Sequence, residues 1–236
     1  MYHLNSIIYA TISYQDMGAW DLFLNSLLPM FLGAIKYTIP LTLISFVLGL
    51  LVALLTAMMR LSKSRIVRTP AVIYVSAIRG TPLLVQLFII FYGLPSIGLT
   101  IDPFPSAIIA FTLNVGAYAS EIIRASIQSI PIGQWEAGFT IGMTKSTALR
   151  RIILPQATRV SIPPLSNSFI SLVKDTSLAS LILVAELFRQ AQEIAARTFD
   201  FLLLYAEAGL IYWVICFVLS LFQNKLEKRY DRYVAK

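Results

Sequence analysis

Arg79, Glu121, Arg124, Lys174 and Asp175 are ionisable side chains that lie within stretches of sequence that are otherwise apolar. A charge held in hydrocarbon costs on the order of 2.5–3.5 kcal/mol on insertion scales, so each needs a partner or a task. Glu121 and Arg124 share one face of a helix at a spacing that lets them pair directly. Lys174 and Asp175 are adjacent, where a helix is expected to break before Thr176 and Ser177. Helices broken inside a membrane present free backbone groups, and transporters use these as ligand sites. The five charges therefore either lock two helices together as a neutralised network or form a polar site for a charged ligand.

The surrounding composition decides what kind of element carries these residues. The chain has 236 residues, of which 57% are hydrophobic and 13% charged, with a mean hydropathy of +0.74. A soluble domain carries about a quarter of its residues charged. The shortfall places the protein in lipid, as a single membrane domain over 1–236. The net charge of +7 could suggest nucleic acid, but its placement excludes that partner. Arg60, Lys63, Arg65 and Arg68 form one cluster; Lys145, Arg150, Arg151 and Arg159 a second; and Lys225, Lys228, Arg229, Arg232 and Lys236 a third. These fall in alternate loops, as the bias of Lys and Arg toward the cytoplasmic side requires. Cys216 and His3 are the only residues of their types, too few for a disulfide or a metal site.

A spanning helix needs about 20 apolar residues. Five such stretches are expected in a core over 33–223: one from near Gly33 through Met59; one over 70–93, interrupted at Arg79-Gly80-Thr81-Pro82; and one over 105–126. The fourth covers 160–183, with Pro163-Pro164 near its start, and the fifth 201–223. Five spans with these basic loops place the N-terminus outside and the C-terminus, with its basic tail over 224–236, in the cytoplasm. No Lys or Arg precedes Lys36, so the first span is expected to direct its own insertion. Residues 1–32 mix apolar residues with Asp16 and Asp21 and are expected to form an interfacial helix on the outer face. The amphipathic segment 186–200 is expected to pack at the outer mouth. Tyr92, Tyr205, Tyr212 and Trp213 are assigned to the aromatic belts at the bilayer edges.

The loop over 130–155 is richer than a spacer. Pro131 and Gly133 precede a helical stretch that Gly142 ends, and Thr144 can cap a second helix running to Ile153, where Pro155 is expected to interrupt it. A plain amphipathic loop, a helix-turn-helix and a docking element for a cytoplasmic partner are the candidate readings. The glycines and Lys145-Ser146 lack the spacing of a phosphate-binding loop, and a lone helix-turn-helix hung between spans has no access to DNA.

The order Glu136-Ala137-Gly138, then Gly142, then Ile153-Leu154-Pro155 resembles the EAA loop of ABC importer permeases. Arg79-Gly-Thr-Pro-Leu-Leu-Val-Gln86, Asn114-Val-Gly-Ala-Tyr-Ala-Ser-Glu121 and the stretch from Pro163 to Ser177 are similar to the polar amino-acid branch of that family. The likeness covers most of the chain from about Gly33. Glu186 to Gln192 and Ile211-Tyr-Trp look most like cystine permeases. The family motif reads Glu-Ala-Ala, so Gly138 departs from it, and a helical glycine costs about 1 kcal/mol, which would loosen the helix.

The resemblance implies an all-α integral membrane protein of five transmembrane helices with the type I ABC importer permease architecture and a cytoplasmic coupling helix. It implies that Glu136, Ala137, Gly138, Gly142, Leu154 and Pro155 couple to ABC ATPase subunits, which hold the ATP and Mg, so this chain needs no cofactor. A second permease copy in a homodimer and an extracytoplasmic amino-acid-binding protein are the other implied partners, in a bacterial inner membrane. Amino acids carry an ammonium and a carboxylate, so the site must offer both signs. Arg124 is then expected to hold a carboxylate, Asp175 and Glu121 to receive ammonium groups, and Asn114, Tyr118 and Ser177 to add neutral hydrogen bonds. L-Cystine is the expected cargo, with glutamine, histidine and arginine as alternatives. A secondary transporter is the reading from another class; few spans, no inverted repeat and the protruding loop count against it. A membrane enzyme lacks any catalytic constellation, and a structural anchor has no use for intramembrane charge.

Overall fold

The computed structural model describes residues 17–231, and among them the regular structure is helical throughout. Helix α1 runs unbroken over Ala19–Arg60, α2 over Arg65–Arg79, α3 over Leu83–Ile97 and α4 over Pro103–Gln128. The short α5 covers Ile132–Thr140, α6 covers Lys145–Ile182, α7 Leu187–Thr198 and α8 Phe201–Asp231. Three of these are long and apolar enough to cross a membrane alone. Two bent pairs supply the others: α2 with α3 at 104°, and α6 with α7 at 47°. Five spans result.

The first span differs from the expectation. It begins at Ala19 rather than near Gly33, and its 42 residues would reach about 63 Å at 1.5 Å per residue. The described part of the expected interfacial segment is thus continuous in helix with the first span. Asp21 does not end it, because the opposite side of the helix buries Leu22, Ser26 and Met30 against α7 and α8. Residues 1–16, including His3 and Asp16, lie outside the described residues, as do 232–236 of the tail.

Helix α6 corrects a second expectation, since Pro155 does not interrupt it. A π turn over Leu149–Ile153 precedes the proline, and the helix continues through it. Proline in a helix clashes with the carbonyl four residues back, and widening that turn relieves the clash. The same device recurs at Ala34–Thr38 before Pro40 and at Ile89–Gly93 before Pro95. Toward its other end α6 tightens to a 3-10 helix over Thr176–Ile182, directly after Asp175. The expected break before Thr176 is thus a change of helix type.

Helices α1 and α4 form the centre of the bundle. Lipid tails offer no hydrophobic drive for helix pairing, so close backbone approach must supply it. A Cβ added at Gly49 would stand 2.6 Å from Val115 Cβ, and one at Gly116 would stand 2.7 Å from Val52 Cγ1. Each glycine therefore seats a valine of the facing helix. Leu43, Val47, Leu51 and Leu55, four residues apart on α1, are at least half exposed and form the lipid-facing stripe.

Candidate functional site

The bend between α2 and α3 creates one wall of the site. Ile78 should bond the amide four residues on, but that position is Pro82, which has no N–H. Gln86 supplies the missing donor: its Nε2 donates to Ile78 O at 2.7 Å, to Thr81 O at 3.1 Å and to Thr81 Oγ1 at 2.9 Å. Its carbonyl oxygen accepts from Asn114 Nδ2 at 3.3 Å, which ties the bend to α4. Thr81 and Pro82 are thereby held on the rim of a cavity of about 490 Å³. A volume in that range suits a small-molecule site. The opposing wall comes from α6, through Ser168, Ser171 and Asp175, and the floor from Asn114 and Tyr118 of α4.

Three expected ligand residues, Asn114, Tyr118 and Asp175, thus meet in one cavity. Ser177 does not line it; its hydroxyl donates to Lys174 O at 2.7 Å, a local bond within the 3-10 turn. Glu121 and Arg124 do not line it either. Arg124 donates to Glu121 through Nε at 3.1 Å and Nη2 at 3.2 Å, the direct pairing their spacing suggests. Arg79 Nη1 lies 3.4 Å from the second carboxylate oxygen, and Arg60 at the end of α1 completes an ion pair with the first. Three guanidinium groups therefore surround one carboxylate. The expectation that Glu121 stands ready to receive an ammonium does not fit this geometry, because its oxygens are already engaged by cations from three helices.

Sequence alone placed Arg60 among loop charges and gave Arg79 neither a partner nor a role. The Arg79 guanidinium lies 5.3 Å above the Tyr118 ring, so it borders the cavity through that ring. Gln86 drew notice only as the last residue of the Arg79–Gln86 motif; the proline four residues after Ile78 was the available signal. Tyr212 leaves the aromatic belt to which it was assigned. Its hydroxyl donates to Glu186 at 2.7 Å, and Glu186, fully buried, accepts from the amides of Phe188 and Arg189 to cap α7. Among the described residues no group of His, Cys, Asp or Glu could hold a metal ion.

The loop over 130–155 folds into a compact knob. Gly142 takes φ +80, where its amide reaches Phe139 O at 2.9 Å and Met143 N reaches Gly138 O at 3.0 Å, closing α5. Thr144 caps the next helix through the amide of Thr147 at 3.2 Å. Gly138 has a different role from the loosening expected of it. A Cβ there would meet Ile152 Cδ1 at 3.2 Å and Ala148 Cβ at 3.3 Å, so glycine lets α5 press onto the start of α6. Gln156 clasps Gln134 at 3.2 Å, joining α5 to α6 beyond Pro155, while Leu154 packs on the core. Glu136 and Ala137 face outward, as do Ile132, Phe139 and Ile141. The knob therefore follows α4 in the chain and packs on the start of α6, the two helices that carry Tyr118 and Asp175, and it exposes Ile132, Phe139 and Ile141 beside Glu136, Lys145, Arg150 and Arg151.

Residues 47–232 match the family model for the binding-protein-dependent transport system inner membrane component. The L-cystine transport system permease protein TcyB of Bacillus subtilis is 67% identical over 218 residues, covering 92% of this chain and 93% of that protein. The glutamine transport system permease protein GlnP of Escherichia coli K12 is 38% identical over 86% of this chain and 93% of its own length. Among solved structures, an amino acid ABC transporter crystallised with histidines matches at a TM-score of 0.82 and 37% identity, covering 85% of this chain and 94% of that one. The MetNI methionine ABC transporter, at 15% identity and a TM-score of 0.71 over 86% of this chain and 98% of its own, shares the fold.

Proposed function

The chain belongs to the family of binding-protein-dependent transport system inner membrane components, and from that premise we propose that it forms the membrane path of an ATP-driven importer of L-cystine. The cargo rests on the 67% identity to the cystine permease, which extends over 92% of this chain. One structural observation carries the mechanism: the knob at residues 132–153 joins the two helices, α4 and α6, whose side chains line the polar cavity.

Asp175 receives a cargo ammonium, and Asn114, Tyr118, Ser168 and Ser171 add neutral hydrogen bonds across the cavity. The basic loops set the orientation, with the N-terminus outside and the knob in the cytoplasm. ABC ATPase subunits bind the outward surface of the knob, where Glu136 and Ala137 lie beside exposed Ile132, Phe139 and Ile141. ATP and Mg sit on those subunits, and closure of the pair tilts α4 and α6 about the cavity. A second copy of this chain completes the path, and an extracytoplasmic binding protein delivers the cargo. For ATP to drive uptake, the cavity must bind cargo unequally in the two conformations.

The test is uptake in proteoliposomes holding the permease, its ATPase and its binding protein, with a panel of labelled amino acids. Cystine is expected to accumulate only with ATP inside the ATPase compartment. Preferential uptake of glutamine, histidine or arginine would replace the cargo. Undiminished uptake by the permease without any ATPase would instead make it a secondary transporter.

A further inference from the structure

Glu121 sits at the junction of two polar chains. Toward the cavity, Arg79 spans from the carboxylate to the Tyr118 ring, and Tyr118 lines the cavity floor. Toward the knob, Arg124 holds Glu121 with two nitrogens and donates its third, Nη1, to Gln128 Oε1 at 2.5 Å. Gln128 is the last residue of α4, and with Trp135 and Lys145 it lines a second cavity of about 430 Å³ between the spans and the knob. Tyr118 and Gln128 are ten residues apart on one helix, about 15 Å at helical rise.

The three arginines are not held alike. Arg124 makes two bonds to the carboxylate near 3.1 Å, while Arg79 makes a single contact at 3.4 Å. Arg79 is also the most open of the three, its side chain 42% exposed against 18% for Arg60 and 26% for Arg124. If Arg79 departs, Glu121 remains neutralised by Arg60 and Arg124. Departure of Arg124 would break a two-nitrogen grip, and Arg60 is the most shielded of the three. Arg79 is therefore the member that can change partners at least cost. It also ends α2 at the 104° bend, with only Gly80 between it and Thr81 and Pro82 on the cavity rim.

We propose that Arg79 reports cargo occupancy to the coupling knob: a carboxylate entering beside Tyr118 draws the Arg79 guanidinium from Glu121, and the Glu121–Arg124–Gln128 chain carries the change along α4 to the knob. This rests on the cavity being the cargo site. Arg79 faces the carboxylate end of the amino acid, and Asp175 the ammonium end. Arg124, Glu121 and Gln128 are positioning residues that do not touch cargo.

The experiment measures ATP hydrolysis by the reconstituted assembly, with binding protein, in the presence and absence of L-cystine, beside equilibrium binding of labelled cystine. Arg79→Gln is expected to weaken cystine binding and to lose cargo stimulation of hydrolysis. Arg79→Lys is expected to retain stimulation, because a single contact needs only a point charge, whereas Arg124→Lys loses it with its two-nitrogen grip. Gln128→Ala is expected to bind cystine as the unaltered protein does and yet lose stimulation. That variant sits at an exposed helix end and keeps the test decisive should Arg79→Gln fail to assemble. Arg189→Gln, which removes the ion pair with Glu193 on α7, serves as the control. Full stimulation in Arg79→Gln or Gln128→Ala, or an equal loss in Arg189→Gln, overturns the proposal. If a different amino acid proves to be the cargo, the cystine assignment fails while the same comparison runs with that amino acid. An unaltered assembly that takes up cystine while its hydrolysis answers to no amino acid overturns this proposal alone, and one that takes up no amino acid removes the transport function with it.

Discussion

Replacing Gln86 with leucine tests whether its side-chain amide holds the bend between α2 and α3. Leucine nearly matches glutamine in size but donates nothing. Ile78 O then has no donor, since Pro82 cannot supply one, and its lost bond is the short one at 2.7 Å. Leaving a buried carbonyl unsatisfied costs about 1–3 kcal/mol. The bond to Thr81 O at 3.1 Å is weaker; side-chain hydrogen bonds in membrane proteins average about 0.6 kcal/mol. Thr81 Oγ1 loses little, because it keeps its own bond to Ala77 O. The bond from Asn114 Nδ2 at 3.3 Å is lost as well, so the total is about 3 kcal/mol, which corresponds to a Tm lower by roughly 6–12 °C for a chain of this length. Thermal unfolding of the purified permease in detergent, followed by tryptophan fluorescence, measures it. Cystine affinity should fall as well, because Thr81 and Pro82 on the cavity rim lose their anchor. A Tm within about 1 °C of the unaltered protein, a shift of at most about 0.5 kcal/mol, would show that the bend is held by packing and that Gln86 is a bystander.

Asp175→Asn removes the acidic group of the cavity; a charge-assisted hydrogen bond is worth about 1.5–3 kcal/mol, so cystine binding should weaken roughly 10- to 150-fold, measured with labelled cargo on the assembled complex. Gly116→Leu drives a side chain into Val52 and Tyr74 and should destabilise by about 1–3 kcal/mol or prevent assembly, read by size-exclusion and thermal unfolding. Gly142→Asp places a non-glycine residue at φ +80, costing about 1–2 kcal/mol locally. Nothing lies within 4 Å to clash, so the permease should fold while pull-down of the ATPase falls; normal pull-down with normal transport would remove the docking role.

Composition and the spacing of apolar stretches were sufficient to place the chain in a membrane and to count five spans, because the cost of burying charge in hydrocarbon acts on each segment separately. The ends of the knob's helices were equally legible: Gly142 and Thr144 act through their own backbone neighbours, and local chemistry is written in local sequence. Helix limits at Ala19 and through Pro155 were not, because Leu22 and Met30 are stabilised by α7 and α8, and a π turn that accommodates proline leaves no compositional mark. Asn114, Tyr118 and Asp175 could be nominated from their types, yet Glu121 looked equally suited to a ligand. Only the arrival of Arg60 from one helix and Arg79 from another made it the centre of an ion-pair hub. A sequence states which charges must be compensated; which partner compensates them depends on helices brought together from distant parts of the chain, and that is a property of the tertiary structure alone.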